Sequence, residues 1–484
     1  MKQRQFISKY WSILFVFILT PLLLWAAITI LPTHDDWAGT TRPTFEPFFI
    51  KERFLFYGYH WRPFDTMIGY VNGLNPQLLY PTFNHCLVIL GHFINTLLIY
   101  RLTSVLGFSK TAVNVATAFF FITPATMATV LAVDSQNQTY ALMWSIIAFL
   151  YYIKQKRSKY VVWTLLIFLA TWSKENGLMW ALICPVLAYG FDYIDSKTLK
   201  KDLLAGIFIM VAYALAIYLL PKEMTIHEDY VPTPLKTVLS FVKFLFTSFI
   251  TVDYVYLLHQ PNRNLWLAGL SFLLTLPFLY YIYIRQLKIF FQKRVICILI
   301  SLLIAAAPHI FTVFSMMHTY GGLVLVALII AIAVNEYRDD CKPVVLSFLL
   351  FILSSVLINI HLWHESYLSG LVGKQMAKDA IEKTTVPAKS VYTIIIEDDY
   401  PKLSSFCVIP VDAFGWGFAA AYETNFAWPE NFNDTTIARN SQSLQTATKL
   451  ARKQLKSGKY DCIWIVDRKE VTAIQKGDIY DKKR

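Results

Sequence analysis

Long apolar runs, separated by short polar segments, fill most of the chain as far as residue 362. Many of these runs are long enough to cross a hydrocarbon core of about 30 Å as a helix. We place predicted transmembrane helices at residues 11–31, 82–100, 111–132, 139–153, 160–173, 178–192, 203–220, 264–284, 295–315, 320–335 and 343–362. The pattern therefore predicts an all-α polytopic membrane domain with about 11 transmembrane helices.

The composition supports the same interpretation. Of the 484 residues, 56% are hydrophobic and 16% are charged, and the mean hydropathy is +0.46. A soluble globular chain of this size does not need so much apolar surface. The net charge of +12 does not indicate nucleic-acid binding, because the lysines and arginines lie in short clusters between the apolar runs. The first run is too long for a signal peptide and no small-residue cleavage site follows it, so we interpret it as a retained anchor.

The basic clusters predict the orientation of the chain. If the N-terminus is cytoplasmic, every strongly basic short loop falls on the inner side. These loops lie at residues 101–110, 154–159, 197–201, 285–294 and 338–342. This orientation requires that the apolar stretch 237–259 does not cross, and we interpret it as an interfacial or re-entrant helix because it carries Lys243 and Asp253. A twelve-span arrangement, in which this stretch crosses, is the alternative.

With eleven spans, the outer face of the plasma or inner membrane carries the loops 33–81 and 221–262 and the whole C-terminal segment. The chain is therefore divided into a transmembrane domain, residues 1–363, and an extracytoplasmic domain, residues 364–484.

The C-terminal domain has its own pattern. Residues 366–383 are typical of an amphipathic helix, and a β-branched run at 390–396 predicts a strand. A helix pattern at 443–455 and a second strand at 460–466 complete a small α/β domain. Its cysteines, Cys407 and Cys462, either pair in an oxidising compartment or are two buried thiols.

Four polar groups are predicted to gather on the outer face, most of them next to the ends of apolar spans. They are Asp35 with Asp36, His60 with Arg62, Lys174 with Glu175, and His318 with Tyr320, and Asp134 in the second outer turn is a weaker member. The first outer loop also carries Arg42, Lys51 and Arg53, which is more positive charge than the orientation rule favours outside. An anionic partner such as a lipid phosphate would explain this excess.

Each group also has an ordinary structural explanation. Acidic pairs are common in solvated loops, a Lys–Glu pair can neutralise itself, and tyrosines belong to interfacial aromatic belts. We favour a functional role for Lys174 and Glu175 because long apolar runs adjoin both charges. His309 follows Pro308 inside a predicted span, and we interpret it as a polar residue that satisfies a kink rather than as a ligand.

Several of these motifs resemble those of the GT-C membrane glycosyltransferases, the group of protein O-mannosyltransferases and lipid A aminoarabinose transferases. The acidic pair in the first outer loop is their shared mark. Residues 60–64 (HWRPF) are similar to a tyrosine-arginine-proline-leucine motif, with Trp61 in place of the tyrosine. Further matches are the His and Asn pattern at 85–95, Thr123-Pro124, and the segment 173–177 (SKENG), which is the most specific. The resemblance covers roughly residues 10–340 and does not extend to the C-terminal domain.

The resemblance implies an enzyme that moves a sugar from a polyprenyl-phosphate donor in the outer leaflet to the hydroxyl of a protein, lipid or glycan acceptor. It implies inversion at the anomeric carbon, with Asp35 or Asp36 as the general base that removes the proton of the hydroxyl. The leaving phosphate needs positive charge. We assign Arg62 and Lys174 to it as cations and His318 and Tyr320 as hydrogen-bond donors. Glu175, Asp134 and His60 are assigned supporting roles.

The role of the second aspartate stays open. It either holds a divalent cation or orients Arg62 or Lys174, and His34 beside the pair is compatible with a metal. The family contains members that differ in metal dependence, so the resemblance does not decide the cofactor.

Other functions fit the same setting. A transporter or flippase of a lipid-linked sugar would also grip a phosphate, but it predicts inverted repeats and charges deep inside the spans. The sequence shows no clear repeat, and its informative charges cluster at one face, which favours chemistry over transport. A ligase that moves a whole lipid-linked glycan, and a structural scaffold in which the acidic pair is dispensable, are further alternatives.

Overall fold

The computed structural model describes residues 2–31, 62–64, 67, 82–133, 135–154, 159–219, 233–259, 264–311, 314–337, 341–384, 391–396, 444–467 and 470–475. Within these ranges the chain forms a large helical domain followed by a small unit of strands and one helix. The predicted fold class, a helical membrane domain with a small α/β domain, is confirmed.

The helices are α1 (Lys2–Ile28), α2 (Thr82–Val105), α3 (Lys110–Ile122), α4 (Pro124–Val130), α5 (Gln136–Lys154), α6 (Lys159–Ser173), α7 (Trp180–Gly190), α8 (Ser196–Leu219), α9 (Pro234–Ile250), α10 (Tyr254–His259), α11 (Leu265–Leu279), α12 (Lys293–Ala306), α13 (Leu323–Asn335) and α14 (Lys342–Lys383). A π-helical turn, Tyr280–Ile284, extends α11, and 3₁₀ helices lie at Glu175–Met179, Leu287–Phe291, Ala307–Phe311 and Met316–Thr319.

Each of the eleven predicted spans overlaps a described helix or a bent pair of helices. Five described helices (α1, α2, α8, α11 with its extension, and α14) are long and apolar enough to cross a membrane alone. The pair α3–α4, bent by 50°, would be a sixth. The bend lies at Thr123, which is extended, because the following proline starts α4 and disfavours a helical conformation in the residue before it. How many helices cross the membrane stays a prediction.

The helical domain places its most apolar helix in the centre. In α13 every residue from Leu323 to Val334 is buried. In contrast, peripheral helices expose large apolar side chains, such as Phe208 of α8 and Trp266 of α11. A continuous exposed apolar surface is unfavourable in water and is suited to lipid. The pattern of burial therefore agrees with a membrane domain.

The stretch 237–259, which we predicted to be interfacial or re-entrant, is a broken helix. α9 ends at Thr251, whose φ of +67° is left-handed, and α10 follows. The buried face of α9 carries Ser240, Phe244, Thr247 and Ser248, whereas Val242 and its apolar neighbours are exposed. The exposed apolar face is compatible with lipid contact, and whether the stretch crosses stays a prediction.

One buried carboxylate is satisfied by protein groups. Asp202, at the beginning of α8, is fully buried and accepts hydrogen bonds from the hydroxyls of Tyr152 and Tyr160. Lys201 lies over the ring of Tyr160, 5.4 Å from its centroid. This cluster ties α5 and α6 to α8, and its groups satisfy one another, which gives it a structural role.

The small α/β unit consists of β1 (Val391–Ile395), α15 (Leu444–Lys456), β2 (Cys462–Asp467) and β3 (Glu470–Gln475). The strand order is β1-β2-β3, with β1 parallel and β3 antiparallel to β2. The predicted strands at 390–396 and 460–466 and the helix at 443–455 are confirmed, and β3 was not predicted. Cys462 is buried and Cys407 lies outside the described residues, so their pairing stays a prediction.

A single helix of 42 residues, α14, joins the two parts. We predicted a span at 343–362 and a separate amphipathic helix at 366–383, but both belong to this helix, and the predicted domain boundary lies inside it. Trp363 of α14 donates to the carbonyl of Ala26 in α1 and to the hydroxyl of Thr29, which directly follows α1. Gly370 passes so close to Leu31 that a Cβ there would lie 2.8 Å from the Leu31 carbonyl oxygen. The strand β3 packs against the same helix.

Candidate active site at one end of the helical domain

The structure brings together residues from three of the four predicted groups. Arg62, Lys174, Glu175, His318 and Tyr320 are described, and they lie around the 3₁₀ helices that follow α6 and precede α13. The remaining predicted site residues, Asp35, Asp36, His60 and Asp134, lie outside the described residues. Their roles stay predictions.

Aromatic packing fixes the position of Arg62. The ring of Phe64 meets those of Tyr140 and Trp144 on α5 edge-on, at centroid distances of 6.2 and 6.1 Å. Tyr140 in turn donates to the Leu87 carbonyl of α2, 3.2 Å away. The end of the first predicted outer loop is therefore held against α5, and this contact places Arg62 beside Glu175.

Arg62 and Glu175 form a bidentate ion pair. The Arg62 Nε and one terminal guanidinium nitrogen each lie 2.5 Å from a different oxygen of the Glu175 carboxylate. The side chains are 15% and 27% exposed, so the pair is largely removed from solvent. Planar fork-to-fork pairing orients the guanidinium as well as neutralising it. With Lys174 next to the pair in sequence, the three groups together carry one excess positive charge.

We expect this pair to be coupled energetically. Arg62→Met and Glu175→Gln each remove one half of a largely buried ion pair, so each should lower the free energy of unfolding, and the double variant should lose less than the sum. The expected coupling is about 0.5–3 kcal/mol. Unfolding by sodium dodecyl sulfate in mixed micelles measures it. Strictly additive losses would contradict the pairing.

The lysine turn, residues 174–179, is shaped by a close approach to α6. Lys174 is extended, with φ −157°, its amide donates to the Ala170 carbonyl, and its own carbonyl accepts from the Gly177 amide. A Cβ at Gly177 would lie 2.4 Å from the Ala170 carbonyl carbon. Only glycine therefore allows the turn to lie this close to the end of α6.

The variant Gly177→Ala is expected to destabilise the protein, because backbone must move to admit the methyl group. Overpacking of this kind costs about 1–3 kcal/mol. Gly321→Ala is the matched control, since a Cβ at Gly321 would meet nothing within 4 Å among the described residues. The midpoint of thermal unfolding in detergent should fall for Gly177→Ala and stay near wild type for the control; equal midpoints would refute the close approach.

The histidine turn, residues 315–322, presents His318 in one tautomer. The Ser315 amide donates to His318 Nδ1 at 3.2 Å, so the proton of a neutral ring is on Nε2. The ring stacks on His309 with centroids 4.4 Å apart. Burial, followed by His309 and the charge of Lys174, lowers the pKa of His318 well below 6.5. His318 is therefore a neutral hydrogen-bond donor at neutral pH and adds no positive charge.

We predicted that Tyr320 donates a hydrogen bond to the phosphate of the lipid, and the structure gives its hydroxyl partners within the protein. Its ring is fully buried, its hydroxyl lies 3.0 Å from His92 Nδ1, and the Asn95 amide donates to the hydroxyl at 3.2 Å. Since His92 Nε2 faces the Phe121 carbonyl at 3.2 Å, Nδ1 is the acceptor and the tyrosine proton is engaged. In this arrangement Tyr320 anchors the histidine turn to α2, and a direct contact with a donor phosphate stays a prediction.

A small cavity lies between the lysine turn and the histidine turn. Its walls are formed by Gln138, Ala141, Leu142, Ser145, Asn176, Gly177, Trp180, Ala305, His309, His318, Gly321 and Gly322. Sequence reasoning gave no role to Gln138 or Asn176, although Gln138 was visible as an amide at the start of an apolar run and Asn176 belongs to the segment 173–177. His309, which we interpreted as a kink-satisfying residue, stacks on His318 and lines this cavity.

A metal site is not formed by the described part of the chain, where no three His, Cys, Asp or Glu side chains cluster. The acidic pair and His34, which we considered as cation ligands, lie outside these ranges. The divalent cation therefore stays an open question.

Comparison with protein-family models and with curated protein sequences finds no match. The chain is similar to a solved structure, the crystal structure of ArnT from Cupriavidus metallidurans bound to undecaprenyl phosphate. The similarity covers 96% of this chain and 98% of that one, with a TM-score of 0.48 and 9% sequence identity.

Proposed function

We propose that this protein is a membrane glycosyltransferase that moves a sugar from a polyprenyl-phosphate donor to an acceptor hydroxyl, with inversion. The observation that carries the proposal is the convergence of Arg62, Lys174 and Glu175 with neutral His318 at one end of an apolar helical domain. A partly buried cationic cluster at this position suits a lipid phosphate, whose sugar and tail then lie on different sides of it.

The reaction divides into two tasks. A carboxylate, assigned to Asp35 or Asp36, takes the proton of the acceptor hydroxyl while its oxygen bonds to the anomeric carbon. The bond between that carbon and the phosphate oxygen breaks, and its electron pair remains on the phosphate. The leaving group is already acidic, so it requires positive charge rather than a proton.

The described residues suit the second task. Glu175 holds the Arg62 guanidinium in a fixed orientation, so little reorganisation is needed when negative charge develops nearby. Lys174 adds a point charge from the same turn, and its charge is felt at His318. His318 Nε2–H supplies a neutral hydrogen bond. These assignments make the lysine turn the phosphate-binding element.

The test uses purified protein in lipid vesicles and a panel of polyprenyl phosphates that carry different sugars. Release of free polyprenyl phosphate in the presence of acceptor is the expected result for at least one donor. Movement of the intact donor between leaflets without cleavage would overturn the proposal in favour of a flippase. Release of a whole glycan only from oligosaccharide-bearing lipids would replace it with a ligase.

A further inference from the structure

Two amide side chains, buried Gln138 and partly buried Asn176, meet at the wall of the cavity. Asn176 Nδ2 donates to Gln138 Oε1 at 2.7 Å. The other two amide atoms, Gln138 Nε2 and Asn176 Oδ1, are buried and have no hydrogen-bond partner among the described residues. Gln138 is only 2% exposed, and both residues line the cavity. A buried donor and a buried acceptor are therefore presented side by side.

This outcome does not depend on which way each amide is oriented. If both amides are flipped, Gln138 donates to Asn176, and the oxygen of Gln138 and the nitrogen of Asn176 take the unpaired positions. In either orientation the pair offers one N–H group and one carbonyl oxygen. A hydroxyl both donates and accepts, so one hydroxyl or two neighbouring hydroxyls are the natural complement of this pair.

The remaining walls select a neutral group. Among the described residues that line the cavity, none carries a carboxylate, an ammonium or a guanidinium. Ser145 uses its proton within α5, where it donates to the Ala141 carbonyl at 2.7 Å, and so can only accept. Trp180 and Leu142 supply apolar surface. A charged group on the sugar would therefore meet no charged side chain among these lining residues.

The lysine turn connects this cavity to the cationic cluster. Asn176 follows Glu175 directly in the 3₁₀ helix Glu175–Met179, and Gly177 lets that helix lie close to α6. In a polyprenyl-phosphate sugar, the sugar is bonded directly to the phosphate. A turn that grips the phosphate with Lys174 is therefore placed to hold the hydroxyls of the attached sugar with Asn176.

We propose that Gln138 and Asn176 form a subsite that recognises hydroxyl groups of a neutral sugar on the donor. The proposal rests on the proposed transferase function for the identity of the donor. It assigns the choice of sugar to α5 and the lysine turn. It also predicts that a donor lacking a single sugar hydroxyl binds more weakly than the complete donor.

The experiment measures binding of polyprenyl-phosphate hexoses, of their monodeoxy analogues, and of sugar-free polyprenyl phosphate to the full chain in vesicles. Wild type should bind one hexose-bearing lipid at least tenfold more tightly than one of its deoxy analogues. Gln138→Leu and Asn176→Leu should abolish this difference while binding of sugar-free polyprenyl phosphate is unchanged. Gln136→Leu is the matched control, because Gln136 is a buried amide on the same helix that does not line the cavity.

Several results would overturn the subsite. If wild type binds every deoxy analogue as tightly as the parent lipid, the subsite is refuted without any variant. This measurement is valid even if the leucine variants do not fold. Variants that keep the full discrimination would show that the amide pair only holds water. Equal weakening of sugar-bearing and sugar-free lipids would assign the pair a structural role.

Turnover separates the two proposals. Cleavage of the donor without discrimination between hydroxyl patterns would support the transferase function and refute the subsite. Discrimination between hydroxyl patterns without cleavage of the donor would support the subsite and refute the transferase function.

Discussion

Turnover should fall by about 10²–10⁴-fold when the catalytic base is replaced by asparagine. Asp35→Asn and Asp36→Asn are expected to differ, because the proposed mechanism assigns the proton of the acceptor hydroxyl to only one of the two carboxylates. The asparagine keeps the size and polarity of the side chain but cannot take the proton. Binding of the donor should persist in the inactive variant, since the proposed mechanism assigns the phosphate to Arg62 and Lys174. Release of polyprenyl phosphate and donor binding, measured on the same preparations, test this.

The control for the aspartate variants is Asp192→Asn. Asp192 lies beyond the C-terminal end of α7, whereas the lysine turn precedes its N-terminal end, and it pairs with Lys293 at 2.7 Å. The helix of 11 residues separates the two positions by about 16 Å. This substitution removes the same charge and should leave turnover unchanged. Turnover that is indifferent to both Asp35→Asn and Asp36→Asn would reject the general-base assignment and favour the scaffold or transporter.

Lys174→Met should lower kcat by about 10²–10³-fold, the loss seen when one preorganised electrostatic contact to a developing charge is removed. The reason is that Lys174 adds a second cation directly beside the Arg62–Glu175 pair. Methionine keeps the length of the side chain and its apolar packing. Single-turnover measurements with saturating donor separate this effect on the chemical step from weaker donor binding.

Two further variants interpret the Lys174 result. Lys174→Arg keeps the charge and should retain more activity than the methionine variant, although arginine does not reproduce a compact ammonium. The variant Lys201→Met removes a lysine near the beginning of α8 that lies over the ring of Tyr160 in α6. This substitution should not change kcat. An unchanged kcat in Lys174→Met would transfer the phosphate-binding role to other residues.

The sequence was sufficient to predict the helices because lipid imposes one requirement on every span, a long apolar run. It also placed Arg62, Lys174 and Glu175 on one face from topology alone. It could not predict that Arg62 pairs with Glu175, since the residues are 113 positions apart and nothing in the local pattern specifies the contact. That contact depends on the packing of Phe64 against α5, which is a property of the folded chain.

Tyr320 shows a second limit of sequence reasoning. Its position near His318 suggested a shared task, but the two side chains, two residues apart, point to different neighbours. His318 faces the cavity, and Tyr320 faces His92 and Asn95 of α2. Gln138 and Asn176 show the converse, because amides at the ends of apolar runs are ambiguous until the structure shows which of their atoms lack partners. The strand β3 was missed because Glu470 and Thr472 dilute a short apolar alternation.

The continuity of α14 has a mechanical consequence. A helix of 42 residues is about 63 Å long, and a continuous helix is stiffer than a flexible linker. Gly370 of this helix contacts Leu31, and Leu31 precedes Asp35 and Asp36 in the sequence by a few residues. The α/β unit contacts the C-terminal part of the same helix through β3, and Trp464 donates a hydrogen bond to Thr384 just after the end of that helix. One continuous helix therefore connects the α/β unit with the end of the first apolar span.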